Sequence, residues 1–576
     1  MADTRSEEER AKDCEKALNN LISVRQPYEP LIEDVLKFVN HSRRGLRDTD
    51  ANRGKRTGTD VYDGTAISAA NLERDGICGY SVSQNFHWFD YIMPNTLNFP
   101  RASGMRAWSG KRTDEYPEVK QWLDDCEEVV YSAYLRGNFY DVIPEIVHEA
   151  LTIGTVTVFT EEDIPKGRTI YTSPHFRECY IAENKYGMVD TVYRVYKISL
   201  RNLASKFGID RMKKVDPAFE TNHKNNPYQE KEVIHAIYPR SDYDPNLLNG
   251  LNKPWASMWM LRSPQKVLFL GEGGYDDMPT MTWRWRKNSD EIYGRSPACD
   301  AMVDIMKGNQ QGRTNLVAGQ KMAEPPMMGP QDLRGMINSG PGGWTWLLNT
   351  EKNFPKPMVT GIQLPFAIEQ QERTDKAIRE FFSVDFFLLL SQAAFNKVEL
   401  TATQVIEMSG EKAAVLGTRI GRMQSEFLNP THDRQFNIER RAGRIPDPPQ
   451  IIMDLGGNIE VDYLGPLAQA QKKMFRSQTI RAGVQSVREG AEIWPQVAFV
   501  IDPVKTYKDL LETQGFPIKD FRSDDEIAAI MQQMKERSEA EKMIEAIPNV
   551  SKGIKAISGE VKPSSPLAAM SGEGNG

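Results

Sequence analysis

The segment Lys321–Pro365 constrains the fold more than any other part of the sequence. It holds seven prolines and six glycines, and both residue types interrupt regular helices. Helical patterns lie on both sides of it. Ser296 is a typical helix cap and Pro297 a typical first helical residue, and a second helical pattern runs from Phe366 to about Phe387. The sequence therefore predicts two helices joined by a compact irregular or β-hairpin insert.

The helix after the insert is densely charged. From Glu369 to Glu380 the apolar positions are mainly Ala377 and Ile378. A helix this polar does not bury itself in the core of one subunit, so we expect it to lie beside water or between subunits. The candidates for a subunit interface are Glu369, Glu372, Arg373, Lys376 and Arg379.

The remaining chain predicts an α+β fold that is predominantly α-helical. We expect two helices in the first 42 residues, with Thr4 and Glu7 forming a capping box at the first. Strong helical periodicity over Val119–Ile153 is interrupted at Gly137. Further helices are expected over Ala66–Tyr80, near Leu200–Phe207 and over His432–Arg441, the last after a stop or kink at Asn429–Pro430.

Short β-prone runs fill the middle of the chain, where Gly, Pro and Asn separate them. Strands are expected at Thr155–Thr160, Thr169–Thr172, Cys179–Ala182, Thr191–Val195, Val233–Tyr238, Val267–Leu270 and Ile459–Tyr463. Gly271, Gly273 and Gly274 predict a turn, the glycines at Gly308–Gly319 weaken the helix prediction there, and Gly443–Asp454 predicts a loop.

The sequence offers no pattern typical of a catalytic, metal or cofactor site. There is no phosphate-binding loop, no HExxH and no GxSxG. The five cysteines include no CxxC pair and are expected to be reduced thiols. Asp276–Asp277 is expected to carry solvated loop charges. An enzyme such as a nuclease has no spaced carboxylate cluster to support it.

Charge and hydropathy restrict the partners. The formal net charge is -7, so bulk charge does not explain tight binding to phosphate backbones. The charged segment Met1–Arg10 is unlike a signal peptide. Runs such as Phe386–Leu390 are much shorter than the ~20 residues that span a bilayer. We therefore expect no membrane association.

Several segments, in this order, resemble the head-to-tail connecting (portal) family of short-tailed bacteriophages. They are Asn138–Tyr140 with Gly154–Thr155, Gly187–Gly208, Tyr293–Pro297, Leu400–Val405, Glu426–Pro430, and Tyr463–Ala468 with Gln471–Lys472. In Leu400–Val405, Gln404 stands where the family signature has Glu, and a capping box with Thr401 accepts either residue.

The resemblance implies a ring, typically a dodecamer, at one capsid vertex, with a channel for double-stranded DNA during packaging and ejection. It implies docking to terminase and then to tail adaptor proteins, contacts with capsid and scaffolding proteins, and a place in the virion after assembly in the host cytoplasm. The implied parts are a wing (1–292), a first stem helix (293–320), a clip (321–365), a second stem helix (366–389), a tunnel loop (390–400), wing and crown helices with a strand (401–472), a crown (473–546) and a disordered tail (547–576).

The resemblance also suggests site residues, each with an alternative. Phe395, Asn396 and Lys397 fall in the implied tunnel loop, although Lys397 is equally explained as an ordinary surface lysine. Trp344 and Trp346 in the clip either anchor a partner or are buried within the clip. Inter-subunit ion pairs explain the following arginines at least as well as DNA contacts do: Arg419, Arg422, Arg440, Arg441 and Arg444.

A tail adaptor ring without a packaging role is the alternative function. It shares the helical composition and the lack of catalytic motifs. Adaptors are usually much shorter, however, and lack a Pro/Gly-rich insert between two helices. The sequence therefore favours a structural conduit for DNA.

Overall fold

The structure is a computed structural model that describes residues 6–41, 58–93, 117–244, 247, 249–263, 266–323, 327–328, 356–357, 364–388, 421–455, 459–464 and 483–489. The chain divides into two compact units, residues 1–472 and 473–576. In the second unit the described residues form a helix over 483–489. Every element described below belongs to the first unit.

Helices and strands alternate along the first unit, which confirms a mixed helix and strand fold. The helices are α1 (Glu7–Arg25), α2 (Glu29–Phe38), α3 (Thr65–Ser81), α4 (Pro117–Arg136), α5 (Phe139–Thr152), α6 (Leu200–Phe207), α7 (Ile209–Val215), α8 (Phe219–Asn225), α9 (Pro297–Asp300), α10 (Met302–Ala323), α11 (Leu364–Phe381), α12 (Asn429–Arg441) and α13 (Gln450–Leu455). The strands are β1 (Phe89–Ile92), β2 (Thr155–Asp163), β3 (Arg168–Thr172), β4 (Cys179–Glu183), β5 (Val189–Ser199), β6 (Glu230–Pro239), β7 (Trp255–Arg262), β8 (Val267–Tyr275), β9 (Thr280–Arg284), β10 (Met327–Met328), β11 (Lys356–Pro357) and β12 (Glu460–Tyr463).

The first helix begins two residues later than the sequence indicated. Ser6, not Thr4, is the cap, since its hydroxyl accepts from the amide of Glu9 and the Glu9 carboxylate accepts from the amide of Ser6. The predicted pair with Glu7 is therefore wrong. Both pairs have the Ser/Thr-x-x-Glu spacing of a capping box, so the spacing alone did not choose between them.

A five-stranded antiparallel sheet in the order β4-β5-β6-β7-β8 forms the centre of the middle region. Helix α1 packs Ala11, Cys14 and Leu18 against one face. Helices α6 to α8 pack against the other face through a cluster that includes Leu203 and Phe219. The sheet is therefore covered on both faces, as the middle layer of three.

Two sequence predictions for this sheet were wrong, one because of burial and one because of a close contact between backbones. Strand β7 was not predicted, because a strand covered on both faces is apolar along its length and does not alternate. Gly271, Gly273 and Gly274 do not form the predicted turn but lie inside β8. At Gly274 a β-carbon would lie 2.4 Å from the carbonyl oxygen of Gly250, so glycine is needed there for the close approach of two backbones.

Two smaller sheets join distant parts of the chain. Strand β2 is the middle strand of an antiparallel sheet in the order β3-β2-β9. Strand β1 pairs with β12, where Phe89 lies opposite Tyr463. Around this pair, α4, α5 and α12 bury an aromatic cluster that includes Trp88, Tyr134 and Phe139. The C-terminal part of the first unit therefore completes a core that its N-terminal part begins.

The chain stays helical where a stop or kink was predicted at Asn429–Pro430. A π-helix over Gln424–Leu428 leads directly into α12, and the amide of Asn429 donates to the carbonyl of Gln424. Pro430 has no amide to donate, so the continuous helix lacks one backbone hydrogen bond at this position. The predicted loop Gly443–Asp454 is also wrong in part, since α13 begins at Gln450.

Candidate functional site

The two helices that flank the Pro/Gly-rich segment form an antiparallel pair. Gly308 of α10 faces Thr374 and Ile378 of α11, and the side-chain Nδ2 of Asn315 donates to Oε1 of Gln371 at 2.7 Å. Positions later in α10 thus meet positions earlier in α11. Between them, β10 and β11 pair antiparallel, which agrees with the β-hairpin alternative for the insert at the residues described.

Ser296 fixes the start of this unit against the rest of the fold. Its hydroxyl accepts from the amide of Cys299 at 3.0 Å and donates to the carbonyl of Thr152 at 2.6 Å. The predicted cap is confirmed, and the serine also ties the helix pair to the end of α5. The first helix differs from the prediction in one respect: Ala301 separates α9 from α10.

Gly308 and Gly312 of α10 mark close contacts and not a weak helix. The helix runs unbroken to Ala323, beyond the predicted end at Gln320. A β-carbon at Gly308 would lie 2.6 Å from Oδ2 of Asp63, and one at Gly312 would lie 2.9 Å from the carbonyl oxygen of Tyr62. The segment that contains Asp63 therefore packs directly on the helix backbone, which only glycine permits.

That segment is held by a pair of reciprocal hydrogen bonds. Oδ1 of Asn309 accepts from the amide of Tyr62 at 2.6 Å, and Nδ2 of Asn309 donates to the carbonyl of Asp60 at 3.1 Å. Burial raises the pKa of Asp375 on α11, and the negative charge of Asp63 raises it further. The sequence pattern gave no sign of these contacts, because 58–65 lies far from both helices along the chain.

The five candidate interface residues on α11 are all exposed: Glu369, Glu372, Arg373, Lys376 and Arg379. Within the helix Arg373 contacts Glu369 at 2.6 Å. Large apolar side chains are exposed on the same two helices, namely Val303, Met306, Leu316, Val317, Met322, Phe366, Ile368 and Phe381. The expected polar helix is confirmed as exposed, and exposed apolar residues, which the sequence analysis did not identify, accompany it.

The helical end of α11 also differs from the prediction, which extended it to Phe387. It ends at Phe381, and Ser383 adopts a left-handed conformation with φ of 51°. A short helical turn then covers 384–388. Phe382, Val384, Phe386 and Phe387 in this region are buried, so the end of the helix pair is anchored in the body of the first unit.

A buried arginine connects the body to the π-helix. Arg284, at the end of β9, contacts the carboxylates of Glu183 and Glu426 and donates from Nη2 to the carbonyl of Gly187 at 2.9 Å. Lys287 contacts Glu183 at 2.8 Å. Three parts of the chain, distant in sequence, therefore meet at one guanidinium group. Gly187 and Glu426 belong to segments that the sequence analysis identified, whereas Arg284 and Glu183 do not.

The arginines of the C-terminal part mostly have acidic partners in their own chain. Arg422 contacts Glu426 at 2.7 Å, Arg441 contacts Asp277 at 2.6 Å, and Arg444 contacts Glu439. Each of these three arginines therefore has an acidic partner in its own chain, and contacts with a second subunit or with DNA stay predictions. Asp277 is likewise more than a solvated charge, since it also accepts from Asn437 at 3.0 Å. Arg440 is exposed, and Arg419 lies outside the described residues.

Several predicted site residues lie outside the described part of the chain. They are Phe395, Asn396 and Lys397, together with Trp344, Trp346, Thr401 and Gln404. The five cysteines all lie inside it and are free thiols, as expected. In the described ranges no cluster of three or more His, Cys, Asp or Glu side chains is arranged to hold a metal ion. None of the helices assigned in those ranges is long and apolar enough to cross a membrane.

Sequence comparison with known proteins identifies the family of this chain. The sequence profile of the family described as bacteriophage head to tail connecting protein matches residues 11–521. The portal protein of Salmonella phage epsilon15 is 25% identical over 563 residues, which cover 96% of each chain. The probable portal protein of Bordetella phage BPP-1 is 26% identical over 469 residues, which cover 80% of each chain. The chain belongs to the bacteriophage head to tail connecting protein family.

Proposed function

We propose that this chain is the subunit of a portal, a ring at one capsid vertex through which double-stranded DNA enters during packaging and leaves during ejection. The observation that carries the proposal is the similarity to the epsilon15 portal protein over 96% of both chains. The tail adaptor alternative is not favoured, because both relatives are named as portal proteins. The role is structural and not enzymatic, since family membership points to a connector.

The exposed surface of α10 and α11 supports assembly into a ring. Val303 is 78% exposed, and Leu316 and Phe366 are also exposed on the same pair of helices. Burying such side chains against a neighbour contributes about 25 cal/mol per Å² of apolar surface. A head-to-tail contact between different faces of one subunit closes into a ring when the rotation permits. We assign these helices to the stem, with twelve subunits as the expected number.

The charged residues of α11 set the direction of the same contact. Glu369, Glu372, Arg373, Lys376 and Arg379 carry both signs of charge on one exposed helix. Alternating charges at an interface fix register and disfavour wrong partners. In the proposed ring they meet the opposite face of the neighbouring stem, beside the exposed apolar side chains.

The channel and clip complete the proposed conduit. Phe395, Asn396 and Lys397 line the tunnel, where a single basic residue and a net charge of -7 give a weak grip that lets DNA slide. Trp344 and Trp346 anchor partners at the clip, first terminase and later tail adaptor proteins. Capsid and scaffolding proteins surround the ring in the virion, after assembly in the host cytoplasm.

Electron microscopy of the purified full chain tests the proposed ring. Closed rings with a central hole wide enough for a DNA duplex are the expected result. A stable monomer at high protein concentration, or hydrolysis of DNA by the pure protein, contradicts the proposal.

The tunnel loop has its own test. Lys397→Ala should change DNA packaging or retention in assembled particles while rings still form. Lys214→Ala, which also removes one positive charge, serves as a control because Lys214 is an exposed residue of α7 to which no DNA or subunit contact is assigned. Unchanged packaging by Lys397→Ala removes Lys397 from the channel.

A further inference from the structure

A pocket of about 280 Å³ opens between two sheets, away from the helix pair. Phe159 and Glu161 of β2 form one wall, and Arg194 and Tyr196 of β5 form another. Helix α6 closes a third side with Asn202, Ser205 and Lys206, and His235 and Trp259 form the floor. The volume corresponds to about nine water molecules, so the pocket holds a small molecule or a single side chain.

The floor of the pocket is built from stacked groups. The rings of His235 and Trp259 lie parallel, with centroids 3.8 Å apart, and the ammonium of Lys206 lies 3.7 Å from the centre of the Trp259 ring. The hydroxyl of Ser257 accepts from Nε1 of Trp259 at 3.2 Å and lies 2.9 Å from Nε2 of His235. These contacts fix the floor in one arrangement before any ligand arrives.

Two cationic side chains line this pocket, Lys206 and Arg194, and some of their hydrogen-bond donors have no acceptor among the described residues. In the ranges that the structure describes, the nearest carboxylate oxygen to the Lys206 ammonium is Oε1 of Glu161. It is 3.8 Å away, which is beyond hydrogen-bonding distance. Arg194 uses Nε and Nη2 to bind Glu178, and its Nη1 has no acceptor within the described part of the chain. Burial lowers the pKa of Lys206, and the exposed Glu161 offsets this only in part.

The histidine that lines this pocket is almost completely buried as a residue. His235 is 2% exposed, and among the described residues only its Nε2 has a hydrogen-bond partner. Burial, followed by the charges of Lys206 and Arg194, holds the pKa of this histidine well below its usual value, so the ring is neutral. When Ser257 donates to Nε2, the single ring proton sits on Nδ1, which is then a further donor.

We propose that this pocket binds a small oxyanion, a carboxylate or phosphate group. Lys206 and Arg194 supply charge-assisted donors, which bind anionic oxygens more strongly than neutral donors do. Ser205 and Asn202 add polar groups at the mouth. Phe159 and Ile198 supply apolar surface for a short organic stem carried by the anion.

Isothermal titration of the full chain tests the proposal with two probes, inorganic phosphate and acetate, at an ionic strength held constant with sodium chloride. Saturable binding of either probe is expected, and the tighter one identifies the form of the oxyanion. Lys206→Met keeps the stem over Trp259 but removes the charge, so it should weaken binding by about tenfold to a hundredfold. Lys213→Met, which removes a lysine paired with Glu220 outside the pocket, should leave binding unchanged.

Ser205→Glu provides an independent check if Lys206→Met does not fold. Ser205 is exposed on α6, so a longer side chain is tolerated, and its carboxylate would occupy the pocket in place of the ligand. Binding should then be lost. Absence of saturable binding by the unaltered protein, or equal binding by the unaltered protein and both pocket variants, overturns the proposal.

Discussion

Oε1 of Glu426 lies 2.6 Å from Nη2 of Arg284, although the two residues are 142 positions apart in the chain. The side chain of Arg284 is 2% exposed. Oε2 of Glu426 accepts a second bond, from the backbone amide of Arg284, at 2.9 Å. One carboxylate therefore holds the end of β9 and the π-helix together inside the protein.

Replacing this carboxylate should destabilise the fold. Glu426→Gln keeps the shape of the side chain but leaves a buried guanidinium with half of its negative partners, so we expect a loss of about 3 kcal/mol in the free energy of unfolding. Chemical denaturation of the full chain measures it, with the variant and the unaltered protein in the same oligomeric state.

The matched control is Asp75→Asn. Asp75 contacts Arg74 at nearly the same distance, 2.7 Å, but is 66% exposed. Water already solvates such a pair, so the change should cost less than about 0.5 kcal/mol. Equal losses in the two variants would contradict the importance assigned to the buried site.

The glycines of α10 should respond in opposite directions to the same substitution. Gly308→Ala places a methyl group 2.6 Å from Oδ2 of Asp63 and should destabilise the protein by about 1–3 kcal/mol. Gly319→Ala meets nothing within 4 Å and should stabilise it by about 0.5–1 kcal/mol, because alanine favours helix. Thermal unfolding of both variants measures the difference. If Gly308→Ala stabilised the protein, the segment that contains Asp63 would be able to move away from the added methyl group at little cost in free energy.

Stability should depend on pH through Glu127 of α4. Burial, together with a hydrogen bond to Asp90, raises the pKa of this carboxyl to about 7, while a hydrogen bond to His87 opposes the rise. Because the folded pKa lies above the unfolded one, the folded state retains a proton that the unfolded state loses. The stability contributed by this proton is therefore complete below about pH 4.5 and is lost as pH rises to about 7.

Glu127→Gln should flatten that part of the stability profile. Denaturation at several pH values compares the variant with the unaltered protein, so that other titrating groups cancel. Glu118→Gln, which changes an exposed glutamate of the same helix, should keep the original slope. A profile that stays the same in Glu127→Gln would mean that this carboxyl is ionised throughout.

Assembly should depend on the exposed apolar side chains of the helix pair. Val303→Glu introduces a charge at a side chain that is 78% exposed, so the subunit should still fold but fail to form rings, since an unpaired charge in an interface is costly. Ile164→Glu changes a residue that is 79% exposed in the turn before β3 and should assemble normally. Sizing by light scattering distinguishes the outcomes, and normal rings from Val303→Glu would exclude that position from the interface.

Local sequence patterns predicted many of the elements. Helix α6 begins and ends at the predicted residues, Leu200 and Phe207, because Ser199 caps it and Gly208 ends it. Strand β12 was also predicted, since it alternates and is bounded by turn residues. These predictions succeeded where neighbours in the chain determine the conformation.

Long-range contacts explain what the sequence did not predict. The apolar run of β7 gave no alternation, and Gly274 of β8 and Gly308 and Gly312 of α10 reflect neighbours that approach from other segments. Residue type left the partner of Arg441 open between a second subunit and DNA, and it did not indicate the intrachain contact with Asp277. The partners of a charged side chain depend on the tertiary fold, so residue type alone did not identify them.

The pairing of β1 with β12 has a consequence for biosynthesis. Phe89 lies opposite Tyr463, and both side chains belong to one aromatic cluster with Trp88 and Tyr134. A ribosome makes the first of these strands long before the second, so the nascent chain carries an incomplete core through most of its synthesis. Shielding by a chaperone during that interval would protect the exposed aromatic residues from aggregation until Tyr463 emerges.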